Sequence, residues 1–200
     1  MNYYEFIIVI SFSYIVGAIP FSVITAQYYN IDILNAGSNN AGATNVKRCV
    51  GNNAGNLVFL MDMLKGFIAS VFPFILSLQI SDLFIVGTLC LFASIIGHLY
   101  SIFIKFKGGK GVATTIGGML MFMTQSIVIG TTIWLIVFYV SKYAFLSSIF
   151  LIFSLPISAY FFNMPLFLFW FSLIVFCLII FKHWSNIIRY NNSKEFLFKF

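Results

Sequence analysis

Residues 112–140 read VATTIGGMLMFMTQSIVIGTTIWLIVFYV, 29 residues without a charge. As one helix they would run about 44 Å at 1.5 Å per residue, against a hydrocarbon core of about 30 Å. One straight span is a poor fit to that length. A break at 122–126, FMTQS, turns the run into two short helices. Whether the chain breaks there fixes how many times it crosses a membrane.

Composition makes the membrane the solvent. Of 200 residues, 61% are apolar and 8% are charged, with a mean hydropathy of +1.01. A soluble domain carries about 25% charged residues. So few charges cannot cover a water-exposed surface, which excludes soluble globular, disordered and fibrous classes. At this length, residues 1–200 are expected to form a single integral-membrane domain.

Five further apolar runs are visible: Tyr3 to Tyr28, broken by Gly17 and Pro20; Leu57 to Leu78; Leu83 to Ile104; Tyr143 to Phe162; and Met164 to Phe181. Ten of the 11 Lys and Arg residues lie in or beside the polar breaks; only Lys65 sits inside a run. The N-terminus and residues 79–82 hold Glu5 and Asp82 and no basic residue. By the positive-inside rule, 29–56, 105–111, 141–142 and the tail face the cytoplasm, and the N-terminus faces outside. An outside N-terminus with a cytoplasmic C-terminus needs an odd number of crossings. Splitting 112–140 gives seven. Merging the last two runs gives five, but as one stretch of about 39 residues with Pro165 inside it, well beyond a normal span. The expected fold is therefore an all-α polytopic membrane protein of about seven transmembrane helices, some short, with five as the alternative.

The net charge of +6 reads as this loop bias plus a site for anions, not as nucleic-acid binding. Cys49, Cys90 and Cys177 are far apart, with no CxxC and no Cys/His cluster, so neither a disulfide nor a metal site is expected. The first run lacks a basic start and is too long for a signal peptide.

Chemistry is confined to the polar breaks. Ala36–Arg48, AGSNNAGATNVKR, combines Gly37 and Gly42 with Ser38, Asn39, Asn40, Thr44 and Asn45, and closes on Lys47 and Arg48. Small residues, amide and hydroxyl donors and a terminal Arg suit a phosphate; a plain polar linker is the alternative. Gly97–Thr114, GHLYSIFIKFKGGKGVAT, sets Lys107 and Lys110 around Gly108 and Gly109, directly before a helix. Backbone N–H groups and the dipole at that helix start favour an anion. The spacing is not that of a Walker A loop. Lys182–Glu195, KHWSNIIRYNNSKE, puts His183 and Asn186 on one face if it is helical. Its alternative is an interfacial anchor, with Trp184 in the headgroup belt and Arg189 drawn to anionic lipid. Asp62 and Lys65 lie three residues apart in the second run, where ionisable groups are costly and usually paired. The pair either braces a site, with Lys65 facing it, or is structural alone, and His98 reads as a structural histidine.

AGSNNAGATNVKR, DMLKG at 62–66, GHLYSIFIKFKGGKGVAT and HWSNIIR at 183–189 together resemble the motifs of the bacterial acyl-phosphate-dependent glycerol-3-phosphate acyltransferases, the PlsY family. Order and spacing match from about Gly17 to Glu195. The resemblance implies a seven-span enzyme of the bacterial inner or plasma membrane, its site at the cytoplasmic face. It would move an acyl group from acyl phosphate, not acyl-CoA, to the 1-hydroxyl of sn-glycerol 3-phosphate. The products would be lysophosphatidic acid and phosphate, with no metal or other cofactor. It implies a functional link to an acyl-phosphate-producing enzyme and no nucleic-acid partner. By position, Ser38, Arg48, Lys107, His183 and Asn186 would be catalytic. Gly42, Thr44, Asn45, Lys65, Gly108, Gly109 and Lys110 would bind substrate. Three departures from the family pattern stand out. Asn39 stands where Gly is usual, GAIPFS replaces GSIPFG at Gly17–Ser22, and Phe145 replaces a Ser that is a candidate phosphate donor, with Ser147 or Ser148 as stand-ins. A transporter or receptor for a phosphorylated solute would also want basic residues and broken helices, but no internal repeat is evident.

Overall fold

The computed structural model describes residues 3–76 and 82–197, and divides into a unit ending at Phe122 and a unit beginning at Met123. Met1, Phe200 and most of the 79–82 break lie outside the described residues.

The first unit holds α1 (Tyr3–Ala18), α2 (Phe21–Tyr28), α3 (Ala43–Cys49), α4 (Asn52–Ile75), α5 (Leu83–Leu99), a 3₁₀ turn (Ile102–Ile104) and α6 (Val112–Phe122). α1 and α2 divide the first apolar run at Ile19–Pro20, because proline brings no N–H to continue the helical ladder. Apolar burial gives little drive between helices in lipid, so close contact depends on small residues. A Cβ on Gly17 would strike the Ser94 backbone, joining α1 to α5, and one on Gly117 would strike the Met63 carbonyl, joining α6 to α4. Ala26, Ile33, Val46, Ala54 and Val58 form a buried cluster. It fastens the long loop after α2 onto α3 and α4.

The second unit is α7 (Thr124–Ser141), α8 (Ala144–Phe161) and α9 (Leu166–Asn191), joined by short turns. Lys142 (φ 62°) and Asn163 (φ 49°) reverse the chain in left-handed conformations.

Among the described residues, six stretches are long and apolar enough to cross a membrane. The seventh apolar segment, α6, has 11 residues, about 17 Å of helix. The long apolar run does break, at Met123 (φ −142°, ψ 52°), inside FMTQS. The helix of the last run extends past its apolar end at Phe181: α9 continues to Asn191. Lys182 and His183 end a hydropathy run, yet neither interrupts the backbone ladder, so the helix passes through them.

Candidate functional site

Asn45 builds the first loop. It lies in the first turn of α3 and is 1% exposed. Its Oδ1 accepts the Ser38 N–H at 2.9 Å. Its Nδ2 donates toward the carbonyls of Ile33 (3.2 Å), Ala36 (2.9 Å) and Asn40 (3.1 Å). Arg48 Nη1 lies 3.4 Å from the same Oδ1. One amide thus shapes the loop and ties Ser38 to Arg48, so Asn45 holds the site together and its amide is engaged within the loop. Gly37 (φ +60°) has no room for a side chain, since its Cβ would meet Asn45 Oδ1. Asn39 takes φ 55°, a conformation natural to glycine and tolerated by asparagine. That departure from the family pattern therefore keeps the backbone path. Gly42 precedes α3, and Thr44 is exposed.

The glycine segment folds back over the end of α5. Lys105 (φ 52°) and Phe106 (φ 61°) turn the chain, and the Gly109 N–H donates to the His98 carbonyl at 3.0 Å. This N–H is turned inward, so contact with an anion is left to its neighbours. A Cβ on Gly108 would strike the His98 carbonyl; one on Gly109 would strike His98 Nε2 and, at 2.6 Å, the Ala41 carbonyl. The first loop and the glycine segment therefore meet at Gly109. Lys107 is exposed and Lys110 half-buried.

Beneath this junction, Lys65 Nζ bonds Asp62 Oδ1 at 2.9 Å and the Ile19 carbonyl at 3.2 Å. That carbonyl stands at the break between α1 and α2. Asp62 and Lys65 are 2% and 3% exposed, and His98 Nδ1 lies 3.6 Å from the same carboxylate oxygen. With Pro20, Ser22, Ala41, Gly108 and Gly109 they line a small cavity. The two readings of Lys65 merge: it braces, and it does so at the cavity wall. Ser101 Oγ donates to the Ala18 carbonyl, and Tyr14 Oη to the Tyr100 carbonyl at 2.8 Å. These bonds fasten the α5 exit to α1.

In the second unit, His183 and Asn186 share a buried face of α9. His183 Nδ1 is 2.8 Å from the Ile179 carbonyl. A carbonyl only accepts, so Nδ1 carries the proton and Nε2 of the neutral ring is the acceptor. Asn186 Nδ2 donates to Glu195 Oε1 at 2.8 Å, and Arg189 Nε to Glu195 Oε2 at 2.9 Å. Glu195 thus folds the tail back onto α9. Sequence reasoning passed over Glu195, although it is the only carboxylate after Asp82. Arg189, for which a lipid anchor is one reading, is ion-paired with Glu195. Phe145 is buried against Tyr143 and Tyr190. The hydroxyls of Ser147 and Ser148, the stand-ins for the missing donor, donate to the carbonyls of Tyr143 and Ala144.

Apolar helices around a polar loop junction rich in glycine, amide and cationic groups mark an integral membrane protein whose chemistry is gathered in its loops. The chain belongs to the glycerol-3-phosphate acyltransferase family, whose model matches residues 7–193. The glycerol-3-phosphate acyltransferase of Fusobacterium nucleatum is 39% identical over 201 residues, covering the whole of both chains. That of Aquifex aeolicus is 36% identical over 191 residues, covering 94% of this chain and 96% of its own. The crystal structure of PlsY, an integral membrane glycerol 3-phosphate acyltransferase, in its glycerol 3-phosphate form superposes with a TM-score of 0.89 at 34% identity, over 98% of this chain and 96% of that one. Its lysophosphatidic acid form gives 0.86 at 34% identity over the same shares.

Proposed function

We propose that this enzyme transfers an acyl group from acyl phosphate to the 1-hydroxyl of sn-glycerol 3-phosphate, at the cytoplasmic face of a bacterial plasma membrane. The products are lysophosphatidic acid and phosphate. The observation that carries the reading is the Asn45-organised loop, which ties Ser38 and Arg48 together and meets the glycine segment at Gly109.

Both substrates are phosphates, so crowded negative charge is the main barrier to their meeting. Arg48, Lys107 and Lys110 offset it, and Ser38 fixes orientation. The glycerol hydroxyl oxygen attacks the acyl carbonyl carbon, and the bond from that carbon to the phosphate oxygen breaks. The hydroxyl proton passes to a substrate phosphate. No acyl-enzyme forms. The roles given to His183, holding a phosphate or the glycerol, and to Asn186, fixing orientation, rest on the motif match; Nε2 of the neutral His183 ring would accept from a glycerol hydroxyl and would donate to a phosphate only when protonated.

Seven crossings, with the N-terminus outside and the C-terminus cytoplasmic, accompany this reading. The break at Met123 supports it. The test is incubation of purified protein with glycerol 3-phosphate and palmitoyl phosphate. Lysophosphatidic acid should accumulate; its absence from folded protein would reject the proposal.

A further inference from the structure

Asp62 and His98 stand outside the catalytic assignment, yet both line the cavity beside Gly108 and Gly109. His98 meets the glycine segment in two ways. Its carbonyl accepts the Gly109 N–H at 3.0 Å, and its ring nitrogen Nε2 occupies the space a Gly109 side chain would need. The other ring nitrogen lies 3.6 Å from Asp62 Oδ1. That oxygen also bonds Lys65, which reaches the Ile19 carbonyl at the α1–α2 break. A continuous series of contacts thus runs from the helix break to the glycine segment. Burying these charges within a membrane span is costly, and apolar residues of similar volume would fill the space at lower cost. Stability alone does not explain them.

We propose that Asp62 and His98 are positioning residues for the acceptor substrate. Asp62 fixes the His98 ring, and the ring sets the path of Gly108–Gly109 against Ala41. That path places Lys107 and Lys110 for the phosphate of glycerol 3-phosphate. The inference rests on the reading above that the glycine segment holds this phosphate.

The experiment measures kcat and both KM values for Asp62→Asn, His98→Asn, Gly109→Ala and the His98→Asn/Gly109→Ala double variant, on purified protein shown to be folded by size exclusion. His98→Asn keeps an N–H near Asp62 and removes the ring atoms against Gly109. Asp62→Asn and His98→Asn should each raise KM for glycerol 3-phosphate by about ten- to a hundredfold, with KM for the acyl donor within about threefold. Gly109→Ala should cost less in the His98→Asn background than alone, because the ring it strikes is gone. Unchanged acceptor KM in both Asn variants would overturn the proposal. So would equal rises in both KM values, strict additivity in the double variant, or failure of both Asn variants to fold. An unchanged acceptor KM in Gly109→Ala would instead remove the phosphate reading of the segment itself. Turnover by wild type with a different acyl donor would remove the donor reading alone, since the readout here is the acceptor.

Discussion

Replacing Asn45 with Asp preserves the shape of the side chain and removes its two amide hydrogens. In the folded protein those hydrogens serve the carbonyls of Ile33, Ala36 and Asn40. The new carboxylate oxygen would face three acceptors with nothing to donate. Each lost bond with a buried acceptor left behind costs about 1–3 kcal/mol, so two hydrogens give about 2–6 kcal/mol of lost stability. The other oxygen would still accept the Ser38 N–H. It would now also carry charge beside the Arg48 guanidinium, 3.4 Å away, and compete with substrate phosphate for it. Loss of one charge-assisted hydrogen bond, about 1.5–3 kcal/mol, is about 10- to 150-fold in kcat/KM. Thermal unfolding in detergent and kcat/KM for glycerol 3-phosphate on the surviving folded fraction measure the two effects separately. A variant with wild-type melting and activity within about threefold would refute the role given to this amide.

Arg48→Lys keeps the charge and loses the planar fork, so kcat/KM should fall about 10- to 150-fold. Arg189→Lys, whose contact with Glu195 is through Nε, should retain most activity; equal losses would mean that both arginines serve folding or both bind phosphate. Gly117→Val should prevent stable folding, because its Cβ meets the Met63 carbonyl at the α4–α6 crossing; a normal yield of monodisperse protein would contradict that close approach. Cysteine labelling in intact cells, on a background lacking Cys49, Cys90 and Cys177, should find Lys47, Lys107 and Lys142 cytoplasmic and Asp82 outside. An outside Lys142 with a cytoplasmic C-terminus would reject seven crossings.

Lipid as solvent made much of the fold legible. The runs at Tyr3–Tyr28 and Leu83–Ile104 coincide with candidate spans, the first interrupted at Ile19–Pro20 and the second ending in a 3₁₀ turn, because backbone in lipid must satisfy its hydrogen bonds within the protein. The break at Met123 followed from length and charge parity. The far end of α9 was not legible, since hydropathy stops at Lys182 while helical hydrogen bonding does not. The site was legible in composition more than in roles. Amide, hydroxyl and cationic groups marked the first loop, but nothing in AGSNNAGATNVKR says which amide folds inward. That Asn45 turns in while Thr44 turns out depends on the path of the loop. Asp62 and His98 lie 36 positions apart on different helices, and only packing joins them. Glu195 ends the polar segment Lys182–Glu195, and only the course of α9 and the returning tail brings it to Asn186 and Arg189.

The most direct measurement compares donors. Purified protein is given glycerol 3-phosphate with either palmitoyl phosphate or palmitoyl-CoA, and lysophosphatidic acid and inorganic phosphate are both quantified. Palmitoyl phosphate should give the two products in equal amounts, and palmitoyl-CoA should give essentially none. Robust product from palmitoyl-CoA with no acyl phosphate present would contradict acyl transfer from a phosphate donor.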